Sequence, residues 1–311
     1  MRVLVMGSGG VGGYIGGLLA KGGHDVTFTA RGAHLEAIQR NGLTVVDRGQ
    51  STRLDHAKAV RYPVDAGGTV DLVLFTVKTY DTTEAAQAIK PVVGPDTVVV
   101  PLQNGVDAVD EIGAAVGVEH LLTGLTNIGA RIVEPGTVER FSPFCAVVVG
   151  EPKGGLSERA EAVAAALRAA GLDEAKATDD AQRALWEKFM LLAPLASLTS
   201  ACVVASGQLR AVPEGRALYL AMLEEVHAVG RASGVNLPDE SAASTEAFFM
   251  NLPDTHTTSM QRDYEAKRRV ELEHLAGTVI RRGKGVGVPT PLFEVVYAIL
   301  RTRAVSYGAL S

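Results

Sequence analysis

The 311-residue sequence has few cysteines, few aromatic residues and little excess charge. Its two cysteines, Cys145 and Cys202, lie in apolar surroundings, so we expect buried free thiols and a reducing, cytoplasmic environment rather than a disulfide. The 30 Lys and Arg against 35 Asp and Glu leave a net charge of −5, which argues against nucleic acid or an anionic membrane as the main partner. With 47% hydrophobic residues the chain can bury a large core, which excludes global disorder.

Metal-ligand patterns and long apolar runs are also scarce. The seven histidines are scattered, and neither an HExxH nor a paired CxxC spacing occurs, so no metal site is predicted. Residues 189–208 carry no charge, but Pro194, Gly207 and several hydroxyl residues interrupt this segment. It is therefore predicted to be a buried helix rather than a membrane span.

The first half of the sequence alternates short apolar segments with helical patterns. Segments 71–77 and 97–102 are almost continuously apolar, as is typical of strands covered on both faces of a sheet. This alternation predicts an α/β fold with a parallel, doubly wound sheet of the Rossmann type. A hairpin is predicted around Pro135 and Gly136, with another strand over 145–151.

The pattern changes near residue 179, after which no convincing strand is predicted. The helical patterns there cover 180–206, 213–233, 239–249, 259–282 and 291–307. Thr258, with Gln261 three residues on, is typical of a helix N-terminus, and Pro291 suits a first helical position. The sequence therefore predicts an α/β domain over 1–178 and an all-α domain over 179–311.

A glycine-rich turn follows the first predicted strand and opens a helix. Gly7 would make the tight turn, Gly9 would let a pyrophosphate approach the backbone, and Gly12 would let the helix pack against the strand. The helix N-terminus would face the phosphate charge. The candidate cofactor-binding residues are Gly7, Ser8, Gly9, Gly10, Val11 and Gly12. A purely structural glycine turn is the alternative.

Arg31 follows the second predicted strand, where no acidic residue lies beside it. A carboxylate at this position would bind the ribose 2′-hydroxyl of NAD, whereas a cation accommodates the 2′-phosphate of NADP. The sequence therefore favours NADP(H), and a solvated surface arginine is the alternative.

Lys188 lies at the beginning of the long uncharged segment. A lysine in this position is commonly a boundary residue that keeps its ammonium in water. Alternatively, burial lowers the pKa of its ammonium and makes it a suitable proton donor. The residue pattern alone leaves both interpretations open.

Two further segments carry polar groups at predicted element ends. Asn104 and its neighbours follow the strand over 97–102, at the sheet edge where ligands bind in such folds, although Asn-Gly is also an ordinary turn pair. Ser259 and Thr258 lie at a predicted helix N-terminus, which can bind a carboxylate or can simply be capped. Glu271, further along, is a solvated helix charge by default.

These motifs, taken in order, resemble those of the ketopantoate reductase (2-dehydropantoate 2-reductase) family. The matching segments run along nearly the whole chain: GSGGVG, FTVKTYD, PLQNG, LWEKF, SMQRD, ELEHLAG and GVPTP. The resemblance implies an N-terminal Rossmann domain, a helical C-terminal domain and NADPH-dependent reduction of a 2-keto acid, 2-dehydropantoate to pantoate, in the cleft between them.

The resemblance also implies roles for individual residues. Lys188 would be the general acid, with Asn104 and Glu271 beside the reacting centre and in contact with the cofactor. Ser259 would hold the substrate carboxylate. Lys78, Arg31 and the backbone at Ala130 would complete the cofactor site.

Three substrate-site positions depart from the family pattern. Asparagines are typical four and eight residues after the catalytic lysine, but this chain has Leu192 and Ala196, and a further family asparagine is replaced by Ser206. Leu192 and Ala196 share a helix face with Lys188, so this wall would be apolar. The alternatives are therefore a reductase of a more apolar 2-keto acid or imine, and a non-catalytic NADP(H)-binding sensor. The C-terminal helices are compatible with a homodimer.

Overall fold

The computed structural model describes residues 1–309, which form two compact units. The first unit comprises Met1–Gln103 and Ala108–Ala181, and the second comprises Asn104–Asp107 and the chain from Gln182 onward. The domain boundary near residue 178 stays a prediction. No sequence pattern had assigned Asn104–Asp107 to the helical unit.

The regular elements of the first unit alternate along the chain. The strands are β1 (Arg2–Met6), β2 (Asp25–Thr29), β3 (Leu43–Asp47), β4 (Gln50–Leu54), β5 (Lys58–Val60), β6 (Val70–Phe75), β7 (Val93–Pro101), β8 (Thr123–Glu134), β9 (Thr137–Gly150) and β10 (Glu174–Ala177). The helices are α1 (Gly10–Lys21), α2 (Gly32–Asn41), α3 (Thr82–Ile89), α4 (Ala108–Val116) and α5 (Glu158–Ala169).

Five of these strands form a parallel sheet in the order β5-β2-β1-β6-β7. The predicted parallel, doubly wound arrangement is thereby confirmed. The strand order reverses between β1 and β6, and in open α/β sheets ligands bind at the carboxyl ends of the strands at such a point. The β1–α1 turn and the residues after β6 lie at that edge.

A second sheet has the order β10-β9-β3-β4, and β8 pairs with β9 as an antiparallel hairpin around Pro135 and Gly136. The hairpin agrees with the sequence prediction, but β3, β4, β5 and β10 were not predicted. These strands are short, and β4 and β10 have few apolar residues, so their positions depend on pairing with distant strands rather than on a local pattern.

The regular elements in the described part of the second unit are all helices. Its helices are α6 (Ala181–Cys202), α7 (Ser206–Ala211), α8 (Pro213–Ala232), α9 (Asp239–Asn251), α10 (Ser259–Glu265), α11 (Ala276–Val286) and α12 (Pro291–Val305). Thr258 caps α10 by accepting a hydrogen bond from the Gln261 amide, and Pro291 occupies the first turn of α12, as the sequence predicts.

The single long helix predicted over 259–282 is wrong. Helix α10 ends at Glu265, Lys267 has a left-handed backbone with φ of +53°, and a short 3₁₀ turn covers Leu272–His274 before α11 begins. The Arg268 amide donates to the Asp263 carbonyl, which closes the chain on itself after α10. The interruption buries Glu271, which a continuous solvated helix would have exposed.

The expectation of two buried cysteines is wrong in part. Both thiols are free, as expected, but Cys145 is only partly buried and Cys202 is exposed at the end of α6. Its position at a helix end, which the apolar sequence around it does not reveal, explains the exposure. Among residues 1–309, no helix is long and apolar enough to cross a membrane, and no group of His, Cys, Asp and Glu is arranged to hold a metal ion.

Helix α1 packs closely on the parallel sheet because its sheet-facing positions are glycines. A Cβ built on Gly16 would lie 2.5 Å from Cγ2 of Val5 and 2.7 Å from Cε1 of Phe28, and both side chains are fully buried. Such distances force the sheet or the helix to move.

We expect Gly16→Ala to lower the free energy of unfolding by up to about 2 kcal/mol, because an overpacking cost of ~1–3 kcal/mol outweighs a gain of ~1 kcal/mol in helix propensity. Urea unfolding followed by circular dichroism measures this. The matched control is Gly113→Ala in α4 of the same unit, where a Cβ would meet nothing closer than 3.4 Å. Equal stabilities of the two variants would contradict the packing argument.

Candidate active site

The β1–α1 turn has the geometry that a phosphate-binding turn requires. Gly7 has φ of +97°, and a Cβ there would lie 2.8 Å from the Val77 backbone nitrogen. A Cβ on Gly12 would lie 2.3 Å from both the Gly7 carbonyl oxygen and Oγ1 of Thr76. A Cβ on Gly9, in contrast, would meet no atom within 4 Å. The turn is thus tight at its first and third glycines and open at the second.

The open side of this turn lies at the N-terminus of α1. Helix α1 has no side-chain cap and no acidic residue in its first turn, so its amide dipoles meet no competing carboxylate there. The Ser8 hydroxyl donates to the Thr29 carbonyl at 2.7 Å and therefore joins the turn to β2. A Cβ on Gly10 would lie 2.4 Å from the Ala130 carbonyl oxygen, which brings the β8 backbone to the same turn. These residues fit a dinucleotide phosphate.

Arg31 and Lys78 lie at the carboxyl ends of strands of the same sheet. Arg31 follows β2 and precedes α2, and its largely exposed guanidinium forms an ion pair with Glu84 at 3.5 Å. Lys78 follows β6 and is half-buried. Because the Arg31–Glu84 ion pair is largely exposed, Arg31 can exchange this weak surface contact for an anionic ligand.

Lys188 lies on α6, where three groups of the helical unit meet. Burial lowers the pKa of its ammonium to about 8, although the nearby Glu271 carboxylate raises it. Its Nζ donates to Oδ1 of Asn104 at 3.3 Å, and Glu271 is buried. The structure therefore brings together three of the predicted residues, one each from α6, the 104–107 segment and the turn before α11.

The α6 face beyond Lys188 is apolar. Leu192 is partly exposed, whereas Ala196 is fully buried. Ser206 is also fully buried, and its hydroxyl donates to the Pro253 carbonyl at 2.8 Å. Leu192 is thus the only one of these three predicted substrate contacts with accessible surface, and the Ser206 proton already has an acceptor.

Ser259 begins α10 and is partly exposed. The preceding residue, Thr258, is buried and lies 3.3 Å from Thr199 through their Oγ1 atoms. This contact ties the start of α10 to α6, three helical turns after Lys188. It therefore helps to fix the position of the backbone from which Ser259 extends.

Sequence reasoning missed Asp107, three residues after Asn104. Its carboxylate accepts hydrogen bonds from Oγ1 of Thr278 at 2.6 Å and from Nε of Arg282 at 2.7 Å. An aspartate after a turn gives no pattern by which to find it. The partners on α11, Thr278 and Arg282, are four residues apart and share a helix face, which is the only local signal.

Comparison with known proteins agrees with these features. Residues 3–154 match the family model described as ketopantoate reductase PanE/ApbA, and residues 180–304 match the model of its C-terminal part. A 2-dehydropantoate 2-reductase of Mesorhizobium japonicum is 31% identical over an alignment that covers 100% of both chains.

Solved structures are similar along the whole chain. A PanE/ApbA family ketopantoate reductase from Ralstonia eutropha is 30% identical, has a TM-score of 0.90 and is matched over 99% of this chain and 100% of its own. D-mandelate dehydrogenase, solved with NADH and anilino(oxo)acetate, is 23% identical with a TM-score of 0.89 and 99% coverage of both chains. That last likeness is one of fold. The two family models and the full-length relatives show that the chain belongs to the ketopantoate reductase family of oxidoreductases.

Proposed function

We propose that the protein reduces a 2-keto acid to the 2-hydroxy acid with NADPH, and that 2-dehydropantoate is its substrate in pantothenate and coenzyme A biosynthesis. The observation that carries this proposal is the Lys188 ammonium, whose pKa burial lowers to about 8 and which Asn104 holds at 3.3 Å. The names of the full-length relatives support the substrate.

Reduction of a ketone requires a hydride at carbon and a proton at oxygen. The bound nicotinamide cofactor supplies the hydride. Lys188 supplies the proton from Nζ to the carbonyl oxygen, and the lowered pKa makes its ammonium a stronger acid near neutral pH. Asn104 directs the ammonium, while the buried Glu271 keeps enough of it protonated. The Ser259 hydroxyl holds the substrate carboxylate.

The cofactor site follows from the first unit. The open Gly9 and the uncapped start of α1 receive the pyrophosphate, and Arg31 receives the 2′-phosphate. Lys78, which follows β6 at the same sheet edge, and the Ala130 backbone of β8, which lies against Gly10, complete the site.

A second candidate substrate is a more apolar 2-keto acid. Leu192, Ala196 and Ser206 provide no free hydroxyl or amide donor along the wall that begins at Lys188. Each lost hydrogen bond to a substrate hydroxyl costs about 1 kcal/mol, which disfavours a hydroxylated keto acid.

A cytoplasmic location and a homodimer also stay proposals. Analytical ultracentrifugation would determine whether the protein is a dimer.

Oxidation of NADPH by the purified protein, with 2-dehydropantoate beside branched and aromatic 2-keto acids, tests the function. We expect saturable turnover with 2-dehydropantoate. A much higher kcat/KM for an apolar keto acid would favour the second candidate. Binding of NADPH without turnover on any keto acid would identify the non-catalytic sensor.

The acid role of Lys188 predicts a specific pH dependence. Its pKa lies below the usual 10.5, at about 8, so kcat/KM for reduction should be constant below that pH. Above it, kcat/KM should fall about tenfold per pH unit as the ammonium loses its proton. In the oxidation direction Lys188 must accept a proton, so activity should instead rise through the same pH.

Lys188→Ala is the matching variant. We expect kcat to fall by roughly 10²–10⁴-fold, and we expect the decrease of kcat/KM above about pH 8, the basic limb of the pH profile, to disappear. The dissociation constant of NADPH, measured by fluorescence titration, should stay unchanged. Near-normal turnover, or an unchanged limb near pH 8, would remove Lys188 from this role.

Arg31→Ala should weaken NADPH binding by about 10- to 100-fold, the effect of losing a charged hydrogen bond, and should change NADH binding little. Isothermal titration with both cofactors measures this difference. Arg40→Ala is the control, because it removes a similarly exposed arginine from α2, the helix that Arg31 precedes. Equal losses for NADPH and NADH would contradict the 2′-phosphate assignment.

A further inference from the structure

The segment Asn104–Asp107 is short, irregular and held against the helical unit. Gly105 and Val106 are buried. Gly105 has φ of +87°, and a Cβ there would lie 2.8 Å from the His274 carbonyl oxygen. The backbone therefore comes within contact distance of the turn that carries Glu271. Nothing within these four residues is regular structure, so side-chain contacts must fix their position.

Asp107 supplies the strongest of these contacts. Oδ2 accepts from Thr278 at 2.6 Å, Oδ1 accepts from Nε and Nη2 of Arg282 at 2.7 and 2.6 Å, and Nη2 of Arg281 lies 3.4 Å from Oδ2. Burial is the largest effect on the Asp107 pKa and raises it, but the hydrogen bonds and the two arginines lower it further, below its usual value. The carboxylate is thus ionised across roughly pH 6–9, where Lys188 titrates.

Arg282 links the same segment to the helix of Lys188. Its Nη2 donates to the Val106 carbonyl at 3.4 Å, and its guanidinium lies over the Trp186 ring, 5.9 Å from the centroid. Trp186 is buried on α6, two residues before Lys188, and packs edge-on against Phe189. One arginine therefore contacts the segment that carries Asn104 and the helix that carries Lys188.

We infer that Asp107, through its contacts with Thr278 and Arg282, is a positioning residue that holds Asn104 against the Lys188 ammonium. We call these three residues the Asp107 clamp. The inference rests on the proposed function, because it assigns the clamp a role in orienting the proton donor. We assign the clamp no contact with substrate or cofactor, so its effect on the reaction passes through Asn104.

The effect of losing the clamp follows from the Asn104 contact. The Asn104 carbonyl accepts from the ammonium and so favours the protonated form of Lys188. If the segment loosens, this contact lengthens, the proton donor is misaligned, and the Lys188 pKa falls. Misalignment by about 1 Å can cost on the order of 100-fold in rate.

Asp107→Asn keeps the size of the side chain and removes its charge. We expect kcat to fall on the order of 10- to 100-fold with little change in KM for NADPH, and the basic limb of the pH profile to move to lower pH. Thr278→Val, which removes one clamp contact and keeps the shape, should produce the same changes at smaller size. It serves as the second variant if Asp107→Asn does not fold.

A double-mutant cycle separates positioning from general loss of structure. Because the clamp acts through Asn104, Asp107→Asn combined with Asn104→Ala should have a kcat within about threefold of Asn104→Ala alone. Additive losses would overturn the inference. Glu225→Gln is the matched control: this carboxylate on α8 accepts from the Leu292 and Phe293 amides, away from the 104–107 segment, and should leave kcat and the limb unchanged.

Two outcomes distinguish the clamp from the proposed function. A fully active Asp107→Asn beside an inactive Lys188→Ala would overturn the clamp alone. Normal turnover in Lys188→Ala would overturn the proposed function and the clamp together.

Discussion

The rest of the candidate site depends on the burial of the Lys188 ammonium. Lys188 is the charged residue at the start of a long uncharged stretch of α6, and desolvation there outweighs the attraction of Glu271. A buried charge persists only where carboxylate or carbonyl oxygens compensate it. The neighbouring chain supplies them by breaking what could have been one helix, which buries Glu271, and by bringing Asn104 to the helical unit. The segment between α10 and α11 thus contains the buried carboxylate that favours the charged form of Lys188.

Features determined by local sequence could be predicted, and features determined by distant contacts could not. The spacing of the glycines predicts the Gly7–Gly12 turn, and short apolar runs predict strands β6 and β7, because both features depend on neighbouring residues alone. The interruption after α10 involves a left-handed backbone at Lys267, a non-glycine residue, and no periodicity reveals it. Strand β10, with the sequence EAKA, exists because β9 lies beside it. The membership of Asn104–Asp107 in the helical unit, and hence the clamp, likewise needs the folded structure.

The proposed proton donation and the proposed choice of substrate depend on different parts of α6. Lys188 is held by groups outside the helix face that follows it, whereas Leu192 and Ala196 make up that face. If this face lines the substrate site as proposed, hydrogen bonds lost along it would change which keto acid binds best and would leave Lys188 in place. Ser206 differs from the family asparagine in another way. Its hydroxyl donates to the Pro253 carbonyl, so this side chain stabilises the loop before α10. Family membership therefore fixes the chemistry more firmly than the substrate.

Because Asn104–Asp107 belong to the helical unit, a single cut in the gene cannot separate the two units. The polypeptide passes from one unit to the other at three points, after Gln103, after Asp107 and after Ala181. A fragment that begins at Gln182 would therefore lack Asn104 and leave Arg282 and Thr278 without their shared carboxylate. Neither unit is a single cassette that recombination could exchange intact. A chimaera built from this chain must carry the four residues together with the helices that hold them.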